Sequence, residues 1–181
     1  MILLTEYHSS WATDFCQEAE RVWPAFGLVL IELHHIGSTA IPGILAKPVI
    51  DILAIVSDVN LLDVKATYFE ALGYEVMGEF GLPGRRYFRR DDVAGVRTHH
   101  IHAYAPISSS EVERYLDFRD YLREHPLVAR EYSDLKRSLA RQCQDDTRYS
   151  DGKTDFIRDV ERRAAIWQRE SRSTRRPHEK P

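Results

Sequence analysis

The segment VIDILAIV, residues 49–56, constrains this chain more than any other, because it is apolar on both alternating faces yet carries one carboxylate, Asp51. A strand apolar on both sides belongs inside a sheet that is covered on both faces. An ionised carboxylate inside it is costly unless a cation, an arginine or hydrogen bonds compensate it. The candidates are a metal ion, or a salt bridge to Lys47 or to an arginine of RRYFRR, residues 85–90.

The flanking sequence supplies the rest of the architecture. Trp11, Phe15, Ala19 and Val22 recur at helical spacing, which predicts a helix with Ser10 as N-cap and Pro24 as its stop. LVLIELHHI, residues 28–36, reads as a strand running into a Gly/Pro-containing loop, GSTAIPGILAKP. Asp58 or Asn60 caps a predicted helix with Leu61, Val64, Tyr68 and Leu72 on one face and Gly73 as its stop. YEVMGEF (74–80), RRYFRR (85–90) and VRTHHIHAY (96–104) read as three strands, and the short loops between them imply antiparallel pairing. Three helices follow. The first opens on a Ser110/Glu113 capping box and runs to His125; the second starts at Pro126 and carries Val128, Tyr132, Leu135 and Leu139 on one face. The third runs from about Ser150 with Phe156, Val160, Ala164 and Trp167 in register. The predicted fold is α+β: a mixed sheet flanked by helices, with a helical C-terminal part. Residues 1–168 read as a single domain and 169–181, which lack apolar periodicity, as a flexible polar tail.

Composition excludes several function classes. A net charge of −3 and a pI near 6.2 leave no basic footprint for bulk nucleic acid. No apolar run approaches the roughly 20 residues that span a bilayer. The N-terminus lacks the ~7 to 15 apolar residues of a secretory signal. Cys16 and Cys143 form no C-x-x-C pair, which argues against a disulfide framework and a structural zinc site. A cytoplasmic protein is expected.

Between the first two strands lies the segment most suited to chemistry. Gly37 lets backbone amides approach a phosphate, Ser38 adds a hydroxyl, and Asp51 is placed to hold a divalent cation against it. Thr98, His100, His102 and Tyr104 alternate onto one face of their strand, with His99, Ile101 and Ala103 on the other. His100 and His102 with Asp51 would resemble a 2-His-1-carboxylate set; two histidines hydrogen-bonded in a polar cleft is the other reading.

The stretches HIGSTAIPGILAKPVIDILAIV (35–56), HHIHAY (99–104), FRDYLREHP (118–126), EYSDLKRSLA (131–140) and YSDGKTDFI (149–157) together resemble the GrpB family. That family is similar to the nucleotidyltransferase superfamily, and in some bacteria a similar domain is fused to dephospho-CoA kinase. The resemblance implies a nucleotidyltransferase-like fold, with a nucleotide or small phosphorylated molecule as ligand and a divalent metal (Mg2+, Mn2+ or Zn2+) as cofactor. With the residue reading above, phosphate contacts are expected from Gly37, Ser38, Thr39 and Lys47, and metal and catalytic roles from Asp51, His100 and His102. Lys136 and Lys153 also lie in the matching segments. Arg119 and Arg123, one helical turn apart, make either an anion-facing edge or an exposed face paired with Asp120 and Glu124.

Departures from the superfamily pattern bear on the reaction. Active nucleotidyltransferases carry a D-x-D pair and a third carboxylate for two metals. Here the pair is Asp51 and Leu53, and an imidazole occupies the third place. Such a set suits one softer ion, Mn2+ or Zn2+, better than two Mg2+. His34 stands where the family favours glutamate. The leading expectation is transfer of a nucleotidyl group or a related phosphate-bond reaction. The alternatives are a non-catalytic nucleotide or small-anion binding domain, and a single-metal hydrolase using Asp51, His100 and His102.

Overall fold

Five strands, β1 (Leu30–Ile36), β2 (Ile50–Val56), β3 (Tyr74–Val76), β4 (Arg85–Asp91) and β5 (Arg97–Tyr104), form one mixed sheet in the order β1-β2-β5-β4-β3. This is a computed structural model, and it describes residues 2–143 and 145–175. β2 lies between β1, antiparallel, and β5, parallel, so the segment that is apolar on both sides is internal as its pattern requires. β3, β4 and β5 pair antiparallel through the short loops. β3 ends at Val76 rather than reaching Phe80, because Gly78 and Phe80 both adopt positive φ and turn the chain out of the sheet.

The two faces of the sheet are packed differently. Ile50, Ile52, Ala54 and Val56 of β2, with Ile101 and Ala103 of β5, bury against Trp11, Val22 and Phe26 of α1 (Ser10–Phe26) and Phe69 of α2 (Ala66–Ala71). On the other face Ile36, Leu53 and Tyr104 pack on Val112 of α3 (Ser109–Glu124). A third cluster joins Ile41 and Ile44, from the loop after β1, to Tyr121 and Leu122 of α3, Ala129 and Tyr132 of α4 (Pro126–Gln142), and Val160 and Ala164 of α6 (Thr154–Arg175). Fully burying one such aliphatic side chain stabilises by about 1.5–3 kcal/mol. The Gly-Ser loop is thereby anchored to the helical layer. No helix among the described residues is long and apolar enough to cross a membrane.

Several local expectations are corrected. Pro24 lies inside α1, which continues two residues further because Ala25 and Phe26 are buried; Gly27, at φ 59, then caps Trp23 O. Ser10 is already helical and its hydroxyl bonds Asp14, so it is not the N-cap. Residues Val59–Lys65 form a 3₁₀ helix before α2, with Asp58 as the cap. At three residues per turn, Val59 and Leu62 point inward, while Leu61, Val64 and Tyr68, the expected face, are exposed. The Ser110/Glu113 capping box does not form, since a 3₁₀ turn over Pro106–Ser108 leads directly into α3. The last predicted helix is two, α5 (Asp146–Asp151) and α6, separated at Gly152. α6 runs to Arg175, with an Arg172–Glu113 ion pair at 3.6 Å alongside it; residues 176–181 lie outside the described residues.

Candidate functional site

Parallel pairing of β2 with β5 sets Asp51 beside His100 and Leu53 beside His102. Paired residues share a face, so both imidazoles point to the side of the sheet that Asp51 occupies. His100 Nδ1 lies 2.8 Å from Asp51 Oδ1, and His102 Nε2 lies 3.9 Å from the same oxygen. One ligand atom from each of the three falls within 4.8 Å of the others. Two ligands sharing an ion at about 2.0–2.2 Å stand roughly 3 Å apart, so the set is compact enough to hold one.

The compensation for Asp51 is now explicit. Burial pushes its carboxyl pKa up, but the hydrogen bond from His100 at 2.8 Å, supported by the His102 ring 3.9 Å away, outweighs burial and holds it well below the usual carboxylate range. The arginines of β4 are directed elsewhere: Arg86 to Asp63 at 2.6 Å, Arg89 to Glu75, and Arg90 to Glu18 at 3.0 Å. Arg85 donates to the Phe80 and Glu79 carbonyls.

Arg85 also separates the two histidines in character. Its Nη1 lies 3.5 Å from His102 Nδ1, and a guanidinium only donates, so Nδ1 carries the lone pair and the Nε2 proton faces Asp51. A metal-bound imidazole instead gives its outer N–H to an acceptor. Asp51 and His100 are therefore the stronger pair of ligands. Burial lowers the His102 pKa against the pull of Asp51, which favours its neutral ring.

Gly37 closes the site from the β1 side. Its φ is 69°, and a Cβ there would lie 2.3 Å from Asp51 Oδ2, so only glycine fits. The Thr39 hydroxyl, expected from sequence to contact phosphate, is engaged within the protein. It is buried, donates to Val49 O at 3.0 Å and accepts from His35 Nε2 at 3.0 Å, tying the loop to the start of β2. His35 stacks on Phe15, and burial lowers its pKa to about 4, so it is neutral.

Two cavities of about 270 and 210 Å³ meet at Ser38, Asp51 and Lys153. The larger has an apolar and aromatic wall of Ile36, Tyr115, Phe118, Tyr132 and Ile157. The smaller is lined by Lys47, Lys136, Lys153, Ser38, Thr39 and Tyr149, with Asp51 and His100 on its far side. The Lys47 and Lys153 ammonium groups both lie over the Tyr149 ring, at 4.8 and 4.2 Å. Arg119 and Arg123 line neither cavity. Arg119 donates to His35 O at 3.1 Å and pairs with Asp120, while Arg123 donates to Ala40 O at 2.9 Å. They clamp the backbone on both sides of Gly37–Thr39 instead of presenting an anion-facing edge.

Sequence reasoning gave Lys136 little weight, and it missed the aromatic wall. Lys136 is only 2% exposed; it donates to Leu45 O and lies 3.1 Å from Ser38 Oγ. The signal was its position: it falls one turn after Tyr132, on the apolar stripe of α4, where a lysine needs a reason.

A family model described as GrpB protein matches residues 1–163. The chain belongs to the GrpB family. Among GrpB-related proteins, it is 42% identical over 164 residues to UPF0157 protein YqkA of Bacillus subtilis, covering 90% of this chain and 47% of that one. It is 36% identical over 155 residues to a UPF0157 protein of Pseudomonas aeruginosa, covering 82% and 61%. The chain thus spans about half to three-fifths of the length of these two relatives. A crystal structure of conserved protein GrpB from Enterococcus faecalis superposes with a TM-score of 0.86 at 40% identity, covering 91% of this chain and 99% of that one. GrpB membership and the α+β fold are thereby shown.

Proposed function

We propose that this GrpB protein binds a small phosphorylated molecule, with a nucleotide as the foremost candidate, and acts on one of its phosphate bonds. The observation that carries this is the meeting of two unlike cavities at Ser38, Asp51 and Lys153. Lysines and the Ser38 hydroxyl suit a phosphate group, and the aromatic wall suits a flat organic portion. Asp51 and His100, with His102 as a weaker third ligand, would hold one divalent ion at the junction. Such an ion would supply Lewis-acid polarisation of a phosphoryl oxygen. Mn2+ or Zn2+ fits a mixed nitrogen and oxygen set better than Mg2+ does.

A second reading, a binding domain without turnover, draws on Leu53. It stands two residues beyond Asp51 on the same face, is fully buried, and packs on Ile36, Tyr104 and Val112. A second catalytic carboxylate has no place there, so a two-metal mechanism is not part of the proposal.

Calorimetric titration with ATP, CTP, GTP and UTP, each with Mn2+ or Mg2+, tests the reading. At least one should bind, and Ser38→Ala should weaken it by about 1.5–3 kcal/mol, the worth of a hydrogen bond to a charged group. Binding without release of pyrophosphate or phosphate selects the second reading; no binding of any nucleotide or of pyrophosphate overturns both.

A further inference from the structure

Among the described residues, Lys136 is a buried charged group without an opposite charge beside it. Its side chain is 2% exposed, and its ammonium faces a carbonyl, a hydroxyl and the Tyr132 ring at 4.3 Å. Among the described residues no carboxylate pairs with it. A buried lysine so placed is either the counter-charge of an anion or a neutral amine. The group nearest its nitrogen, besides the Leu45 carbonyl, is a serine hydroxyl that opens onto both cavities.

We infer that Ser38 and Lys136 form a nucleophile–base dyad, in which Ser38 Oγ takes up a phosphoryl or nucleotidyl group from a phosphoric anhydride bound in the cleft. The inference rests on the phosphorylated-ligand reading for its substrate and on the 3.1 Å Ser38–Lys136 contact for its chemistry. A hydroxyl within hydrogen-bond reach of a base that is itself held in place is the general signature of an activated nucleophile. Here Leu45 O takes one Nζ hydrogen, and in the free amine rotation about that bond brings the lone pair, in place of the second N–H, to Ser38.

The step balances without a redox partner. Ser38 Oγ bonds to phosphorus and its proton passes to Lys136 Nζ. The bridging P–O bond breaks, and the rest of the anhydride leaves with the electron pair, taking a proton from the Lys136 ammonium or from solvent: pyrophosphate when a nucleotidyl group is taken from a nucleoside triphosphate, the nucleoside diphosphate when its terminal phosphoryl group is taken, and phosphate when the donor is pyrophosphate. The product is a phosphate ester on Ser38, which water then hydrolyses or a second acceptor removes.

Desolvation, followed by the neighbouring Lys153 charge, lowers the Lys136 pKa to about 7, so the free amine is well populated at neutral pH. The ionisable groups around it are Tyr132 on its own helix, Lys47 on the loop before β2, Tyr149 on α5, Lys153 before α6, and Asp51 and His100 across the cavity.

A fluorophosphonate probe tests the dyad without a known substrate. Ser38 Oγ bonds to its phosphorus, the P–F bond breaks, fluoride leaves, and Lys136 receives the proton. Intact-mass spectrometry and peptide mapping should show one adduct on Ser38, absent in Ser38→Ala. Lys136→Met should slow labelling by about 100-fold or more, the usual contribution of a positioned base. The wild-type labelling rate should rise with pH through about 7, the Lys136 value. If Lys136→Met fails to fold by thermal melting, that pH profile decides. No adduct, an adduct elsewhere, or an unchanged rate in folded Lys136→Met overturns the dyad. Nucleotide binding without Ser38 labelling would remove the dyad and leave the binding reading standing; labelling without any nucleotide or pyrophosphate binding would do the reverse.

Discussion

Gly37 and Asp51 are in contact so close that a methyl group on Gly37 would stand 2.3 Å from the carboxylate oxygen Oδ2. The last residue of β1 pairs with Asp51, and the chain then turns at Gly37 with φ 69° and ψ −171°. That backbone region is essentially confined to glycine. Asp51 is thus held between a backbone surface on one side and His100 on the other.

Gly37→Ala should therefore destabilise the fold by about 1–3 kcal/mol from the backbone alone, with the steric clash added. Thermal denaturation reads it directly. A variant with unchanged stability would show that the loop after β1 relaxes freely and does not fix Asp51.

Metal uptake should follow the geometry of the three candidate ligands. Asp51→Asn keeps the shape and removes the anionic ligand, so Zn2+ or Mn2+ binding measured by calorimetry should be lost while the fold remains. His100→Ala should weaken binding by more than about 100-fold, while His102→Ala should cost about 10- to 100-fold, the effect of an outer partner. The Arg85 guanidinium beside His102 Nδ1 is the reason for the difference. Equal losses for the two histidines would mean that His102 turns its ring and ligates fully. Retained affinity in Asp51→Asn would remove the centre altogether.

The chain pattern made β2, its interior place and its carboxylate legible, because period-two alternation reports which faces are buried. The convergence of Asp51 with His100 and His102 was legible only as a condition. Alternation says that residues share a face of their own strand, and the parallel register of β2 and β5 decides whether two faces coincide. Leu61 and Val64 misled because a 3₁₀ helix turns faster than the helical wheel assumed for them, and the change to α-helix at Ala66 puts Tyr68 out of the assumed register. Arg119 and Arg123 were legible in part: the pairing with Asp120 is formed, and the anion-facing edge is not. Their spacing described a shared edge, but what that edge meets, the His35 and Ala40 carbonyls, is a contact across more than 80 residues of sequence.

Arg119→Ala should accordingly behave as a loop-anchor variant. Its guanidinium is mostly buried and donates to His35 O, so its loss should lower stability by about 1.5–3 kcal/mol, seen in urea denaturation. Pyrophosphate affinity of the folded variant should stay within a few-fold of wild type. A tenfold or larger loss of affinity with unchanged stability would place the guanidinium on the anion instead.

His35 makes the fold sensitive to acid. It is buried and stacked on Phe15, and its pKa is lowered from 6.5 to about 4, first by burial and further by the charges of Arg123 and Arg119 against the opposing pull of Asp51. The unfolded chain takes up a proton near pH 6.5 that the folded chain resists until about pH 4, so the unfolded state binds more protons across that window. Stability contributed by neutral His35 is complete above the unfolded value and declines as pH falls toward the folded one. The loss reaches about 3 kcal/mol, by the conversion of 1.36 kcal/mol per pKa unit. Protonation would also tighten the ring's hold on Thr39 only if Nε2 were not already donating, and it is, because Thr39 gives its own proton to Val49 O. Urea denaturation of wild type and His35→Gln between pH 7.5 and 4 separates this residue from the carboxylates. Wild type should lose stability more steeply than the variant between about pH 6.5 and 4, and parallel curves would show that His35 titrates normally in the folded protein.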